Sequence, residues 1–197
     1  MGHYFENDEN LKSFKRSLKL YINEQELQFT SDTGVFSNTQ IDYGSYTFLK
    51  TLLKEESVED LLDVGCGYGV LGITLKYFKK AMNVDMVDIN PKAISLCQEN
   101  INYYNMENVK CFISNGFEMI DKLYDYIVIN PPIRAGKAII YKMFEDSTKH
   151  LKDGGALYIV IKKSLGAPSA ISKLQTIYKK DEDLKKDKGY YIIKSFN

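Results

Sequence analysis

Apolar and polar residues keep different rhythms along the chain. LKLYINEQELQFTSD, residues 18–32, alternates with period two and predicts two short strands joined around Asn23 and Glu24, a hairpin cap. From Asp42, DYGSYTFLKTLLKE places Phe48, Leu49, Leu52 and Leu53 at helical spacing, so a helix leads into the main body. The body then alternates regularly. LLDV, AMNVDMVDI, VKCFIS, YDYIVIN and GALYIVI read as five strands, separated in part by helices over Val70 to Phe78, Pro91 to Tyr103 and Ala138 to Leu151. Asn90 suits an N-cap, and Pro91 sits at the first helical position, where a missing N–H costs nothing. Apolar runs without alternation mark strands covered on both faces, as in a parallel sheet.

The predicted class is therefore α/β: a doubly wound, Rossmann-like sheet, mostly parallel. A helix near Ala167 to Tyr178 follows, then the mixed-charge stretch KKDEDLKKDK, which reads as a solvated loop, and GYYIIKSF as an antiparallel last strand. One domain over 1–197 is expected, with 1–41 as a hairpin extension and 42–197 as the core.

Composition narrows the classes. The chain is 44% apolar, enough for a real core, and 13 Gly with 4 Pro, none periodic, exclude collagen-like and low-complexity types. Apolar stretches fall short of the roughly 18 residues of a membrane span, and the first residues lack the pattern of a secretory signal, so a cytoplasmic protein without a membrane partner is expected. Cys66, Cys97 and Cys111 have neither CxxC nor metal-type spacing and read as reduced, buried residues, with no metal. Lys+Arg and Asp+Glu balance at 26 each, so a nucleic acid would have to be held by a local patch.

DVGCGYGVLG, Asp63 to Gly72, stands where a strand gives way to a helix. Glycines there let a ligand approach the backbone, and the helix start offers free N–H groups. Gly67, Gly69 and Gly72 satisfy the dinucleotide pattern GxGxxG, whereas Gly65, Gly67 and Gly69 satisfy GxGxG. Asp63 separates the two, because a carboxylate repels a pyrophosphate and attracts an ammonium group. S-adenosylmethionine carries an α-ammonium and a sulfonium. Asp88 ends the second strand of the body, at about the 20-residue distance of a ribose-binding acid. Asp85 competes for that role from earlier on the strand. After the third strand of the body, Asn115 is a candidate acceptor for an adenine amino group, or the start of an Asn-Gly turn.

The fourth strand of the body ends in NPPIRAGK, Asn130 to Lys137. Pro131 and Pro132 stiffen this loop, and the Asn130 side-chain oxygen and Pro131 carbonyl are two acceptors suited to a planar NH2 group. Bonding both hydrogens orients the nitrogen lone pair toward a methyl donor without a strong base. Arg134 in the same loop suits a phosphate or base contact, or is a surface charge.

SDTGVFS at Ser31 to Ser37, DYGS at Asp42 to Ser45, DVGCGYGVLG and NPPIRAGK together resemble the class I S-adenosylmethionine-dependent methyltransferases. Within that class they are similar to the small-subunit ribosomal RNA guanine-N2 methyltransferases of the RsmC type. The resemblance implies that Asp63, Gly65 and Gly67, with Gly69 in the same turn, hold the methionine end of the cofactor, Asp88 the ribose and Asn115 the adenine. It also implies that Asn130, Pro131 and Pro132 bind the target amine and that Phe36 and Asp42 line the pocket, against readings of core aromatic and N-cap. Members that modify guanine usually carry an aromatic after the prolines; here it is Ile133, so Ile133 and Arg134 would face the substrate and stacking would come from elsewhere, for instance Phe36. Better-studied members also carry an extra N-terminal copy of the domain.

The expected activity is methyl transfer to an exocyclic amine, most simply guanine in ribosomal RNA or a ribosomal subunit. Alternatives are a protein glutamine amide or a small molecule as acceptor, a non-catalytic cofactor-binding module, and an NAD-dependent oxidoreductase. The last lacks an evident catalytic pair, since His3 and His150 are the two histidines. Lys12, Lys15, Arg16 and Lys19, then Arg134 and Lys137, then Lys162 and Lys163 form the expected basic face, with acids largely elsewhere and a salt-sensitive grip on RNA.

Overall fold

The computed structural model describes residues 12–132 and 136–196. Strands β1 (Arg16–Ile22) and β2 (Gln25–Ser31) pair antiparallel, from Arg16 opposite Ser31 to Ile22 opposite Gln25. Asn23 and Glu24 both take positive φ, 47° and 62°, the requirement of the tight hairpin turn whose twist matches its strands. Alternation puts Leu18, Leu20, Ile22, Leu27 and Phe29 on the buried face.

Helix α1 (Tyr43–Leu52) follows, capped by Asp42 and burying Phe48, Leu49 and Leu52. Strands β3 (Asp60–Val64), β4 (Asn83–Asp88), β5 (Val109–Ile113), β6 (Tyr124–Ile129) and β7 (Leu151–Lys162) are parallel. Helices α2 (Val70–Phe78), α3 (Pro91–Tyr103) and α4 (Lys137–Ser147) follow β3, β4 and β6, while β5 leads to β6 without a helix. After α5 (Ala167–Leu174), strands β8 (Lys180–Asp187) and β9 (Tyr190–Phe196) form a hairpin, and β9 inserts antiparallel between β7 and β8. The sheet order is β5-β4-β3-β6-β7-β9-β8. The chain steps outward from β3 to β5 and then returns to the other side of β3, so the winding reverses between β3 and β6. Clefts in open α/β sheets form at that reversal, beyond the carboxyl ends of the strands.

Both faces of the sheet are covered. Leu61, Met86, Val128, Tyr158 and Ile192 pack with the hairpin and α1 to α3. Their neighbours Leu62, Val87, Ile127, Leu157 and Ile193 pack with α4 and α5. The hairpin is fastened by side chains of α3. Buried Asn100 accepts from Thr30 N (2.7 Å) and donates to Thr30 O (3.0 Å) and Tyr68 O (2.9 Å), while the Tyr104 hydroxyl bonds both backbone groups of Gln28. An amide side chain thus pairs with the hairpin edge as another strand would.

Three boundaries depart from expectation. KKDEDLKKDK is not a loop: residues 180–187 form edge strand β8, held by backbone pairing with β9 and by Lys180 over Phe196 and Lys186 over Tyr191. Its charges suit an edge that must not recruit a further strand. Helix α4 stops at Ser147, whose hydroxyl bonds Phe144 O and Tyr178 Oη, and β7 begins already at Leu151. Helix α5 ends at Leu174, short of Tyr178.

Candidate active site

Val64 delivers the chain into the glycine turn at the reversal point. Gly65, Gly67 and Gly69 have φ of 76°, 58° and 90°, a region that L side chains rarely adopt. The three differ in what a side chain would meet. A Cβ on Gly65 or Gly67 would enter open space, so these two leave bare backbone beside a cleft. A Cβ on Gly69 would lie 2.7 Å from Cys97 Sγ and 2.8 Å from Ile73 Cδ1, and one on Gly72 would collide with Met86 Sδ. Gly69 and Gly72 therefore serve close packing of α2 and α3 against the turn and the sheet.

Two carboxylates organise the turn. Asp63 has no exposed surface; its Oδ2 accepts from Gly72 N (3.0 Å) and its Oδ1 has no hydrogen-bond partner. Burial, opposed by the Gly72 N–H and reinforced by the nearby Asp88 charge, pushes the Asp63 carboxyl up to about 7. Asp88, also buried, accepts from Gly67 N and Asn90 N, each at 2.9 Å, and burial raises its carboxyl as well. Asp85 is engaged elsewhere, with Tyr124 Oη and Lys122 Nζ, both at 2.9 Å. Asn115 is exposed at the end of β5, its Nδ2 donating to Glu118 Oε1.

The loop between β2 and α1 lies beside the start of α3, tied by Asn90 Nδ2 to Gly34 O at 3.3 Å. It is anchored by Asp32, a residue the motif reading passed over. The buried Asp32 carboxylate accepts from Ser13 Oγ, Phe14 N and Thr33 N and pairs with Lys92 at 3.0 Å. Burial opposes its ionisation, but these donors outweigh burial and hold the carboxyl well below its ordinary range. Phe36 on this loop is 53% exposed, so it is not a core aromatic.

At the end of β6, Asn130 and Pro132 are half-buried and Pro131 is buried; Ile133 and Arg134 lie outside the described residues. Asn130 Nδ2 donates to Ser45 Oγ at 2.9 Å. Ser45, buried in the first turn of α1, donates through Oγ to Asp42 Oδ2 at 2.5 Å and through N to Asp42 Oδ1 at 3.1 Å. Asp42 is thus the N-cap of α1 and is connected through Ser45 to Asn130 at the end of β6. The DYGS segment contained Ser45, but no spacing rule links it to a residue 85 positions away.

Tyr190 adjoins this cap, because a Cβ on Gly44 would lie 2.6 Å from its ring. Tyr43 and Tyr190 have ring centroids 6.0 Å apart, Lys188 lies over Tyr43 at 4.6 Å and Lys162 over Tyr190 at 5.6 Å. Of this aromatic and cationic border only Lys162 is expected from the sequence, as part of the basic face. The expected N-terminal basic cluster is weaker than its composition: Lys15 pairs with Glu99, Lys19 pairs with Glu26, and Arg16 lies over Phe14. Acids are interleaved with the bases there, because charged side chains on an exposed hairpin find partners at hand.

A family model described as methyltransferase small domain matches residues 26–194. The chain belongs to that family. The methyltransferase is 40% identical over 195 residues to the Bacillus subtilis protein YbxB, covering 98% of this chain and 97% of that one. It is 34% identical over 177 residues to ribosomal RNA small subunit methyltransferase C of Psychromonas ingrahamii, covering 88% of this chain and 50% of the relative. Among solved structures it resembles the T. thermophilus 16S rRNA N2 G1207 methyltransferase in complex with AdoMet and guanosine, with TM-score 0.83 and 22% identity over 94% of this chain and 51% of that one. The methyltransferase thus spans about half the length of the ribosomal RNA methyltransferase relatives it matches.

S-adenosylmethionine is the methyl donor of this class, and the residues of the methyltransferase fit it. Bare backbone at Gly65 and Gly67 and the unpartnered Asp63 Oδ1 are features that a ligand with an ammonium group would complete. The GxGxxG reading toward NAD fails at Gly69, the glycine that should leave bare backbone for a pyrophosphate, because it is packed against Cys97 and Ile73.

Proposed function

We propose that this methyltransferase methylates an exocyclic amine, guanine N2 in ribosomal RNA, with Asp63, Gly65 and Gly67 holding the methionine end of the cofactor, Asp88 the ribose and Asn115 the adenine. The observation that carries the choice of an amine is Asn130. Its NH2 is occupied by Ser45, so its Oδ1 is the end left for a substrate. An acceptor at that position suits an NH2 donor.

S-adenosylmethionine supplies an electrophilic methyl group when bound. Asn130 Oδ1 and the Pro131 carbonyl take the two amine hydrogens and turn the nitrogen lone pair toward that methyl. They also favour the positive charge that develops on nitrogen, after which a proton is lost to water. The names of the ribosomal RNA methyltransferase relatives support ribosomal RNA as the substrate, and the guanosine held by the T. thermophilus neighbour supports guanine as the base.

A guanine amine is free only in unpaired or opened RNA, and such a base needs a stacking surface. Exposed Phe36 offers one, and Tyr43 and Tyr190 with Lys162 and Lys188 offer a second beside the Asp42 cap of α1. Single-stranded RNA is held by such mixtures of rings and cations. Charge reversal of both lysines, K162E/K188E, should weaken RNA binding by about tenfold at moderate salt and flatten the salt dependence by about two counterions. Cofactor affinity should stay unchanged; filter binding across a salt series and calorimetry read the two.

The deciding experiment compares modified nucleosides of ribosomal RNA, by mass spectrometry, in cells with and without the protein. It is joined to transfer of labelled methyl to total RNA and total protein. Loss of N2-methylguanosine in the deletion supports the reading. Label in protein alone would replace RNA by a glutamine amide.

A further inference from the structure

An asparagine side chain has two ends of nearly equal shape and opposite chemistry, one accepting hydrogen bonds and one donating them. A site that needs an acceptor works with one orientation of the amide and fails with the other. We infer that Asp42 and Ser45 are positioning residues that fix this polarity, keeping Asn130 Nδ2 turned inward and Asn130 Oδ1 turned to the target amine. This rests on the proposed reading of Asn130 and adds what enforces it.

The argument is a count of protons. The Ser45 hydroxyl has one. Ionised Asp42 can only accept. Its Oδ1 takes the backbone N–H of Ser45 at 3.1 Å and its Oδ2 takes the Ser45 hydroxyl proton at 2.5 Å. With that proton committed, Ser45 Oγ can only accept from Asn130, and the 2.9 Å contact is satisfied by the amide nitrogen alone. Ser45 is 3% exposed, so water does not compete for its proton. The N-terminal end of α1 favours a negative charge at its cap position. Order therefore passes from a helix cap, through Ser45, to a catalytic loop 85 residues beyond Ser45 in the chain.

Asp42→Asn tests the polarity while preserving the cap. Asparagine is as good an N-cap as aspartate, and the Ser45 N–H requires its oxygen to stay where Oδ1 was. Its NH2 then donates to Ser45 Oγ, and the hydroxyl proton turns toward Asn130. The Asn130 amide flips in response and sets a donor against the amine donor. We expect kcat to fall about 100-fold with cofactor affinity within about threefold of the parent and the thermal midpoint nearly unchanged.

Adding Asn130→Asp should restore kcat to within about tenfold, because a carboxylate accepts the redirected proton and still offers an oxygen to the amine. Asn130→Asp alone should be poor, since one hydroxyl proton then stands between two carboxylates. A purely structural role for Asp42 gives no such rescue. Wild-type turnover in Asp42→Asn, or a double variant no better than the worse single one, overturns the inference.

A measurement without substrate decides it independently. In the ligand-free parent, solvent exchange of one Asn130 side-chain amide proton, followed by NMR, should be slowed about fivefold by one ordinary hydrogen bond and released in Ser45→Ala. Free exchange in the parent overturns the inference even if Asp42→Asn does not fold. Failure of the parent to methylate RNA counts against the proposed substrate alone, because the exchange measurement does not involve it.

Discussion

Asn130→Ala should reduce turnover by about 1,000-fold while leaving cofactor affinity within about threefold. The side chain lies at the end of β6 beyond the sheet core, and the buried Pro131 and the pairing of Ile129 with Val64 and Ile159 hold the loop without it. Truncation removes the acceptor for the target amine and its orienting effect on the lone pair. It leaves Ser45 still bonded to Asp42, so α1 keeps its cap. Stability should drop by less than about 1 kcal/mol, since the group lost is half-buried and polar. Single-turnover transfer of labelled methyl to ribosomal RNA, with calorimetry of S-adenosylhomocysteine binding, separates the two readouts. Loss of cofactor binding along with turnover would move Asn130 from the target side to the cofactor side.

The sheet could be read from the chain because its strands are covered on both faces and are therefore written as unbroken apolar runs, as in YIVI of β6 and LYIVI of β7. Edge strand β8 could not. Its charged residues carry no pattern of their own, and pairing with β9 imposes the strand. The ends of α4 and α5 escaped for a related reason: Ser147 closes α4 through contacts with Phe144 and Tyr178 rather than through a Gly or Pro signal.

The site divides in the same way. A turn with three positive φ values needs glycine, so its place was visible. Which glycines face the cleft and which face Cys97, Ile73 or Met86 depends on neighbours brought by other elements. Asn130 and Asp42 were each visible as candidates, but Ser45, which joins them, acquires its role only where α1 meets the end of β6.

The cofactor-free protein should bind S-adenosylhomocysteine more tightly as pH rises from about 6 to 7.5, by roughly tenfold, and with little change above. The cause is Asp63. Its carboxyl is raised from 3.8 in the unfolded chain to about 7 in the fold, so between these values the folded protein holds a proton that the unfolded chain has lost. Its contribution to stability is therefore largest at low pH and is lost as pH rises through 7. Cofactor binding has the opposite preference, because an ammonium group is attracted by the ionised form alone. Below pH 7 the complex must expel the proton, and the heat of binding should then vary with the ionisation heat of the buffer. Asp63→Asn should remove both the pH dependence and the buffer dependence. It should also weaken binding about 100-fold at pH 7.5, since the new amide keeps an oxygen for Gly72 N and turns a donor toward the ammonium. A pH-independent affinity in the parent, or a profile unchanged in Asp63→Asn, would mean that the unpartnered Oδ1 serves the fold of the glycine turn and not the cofactor.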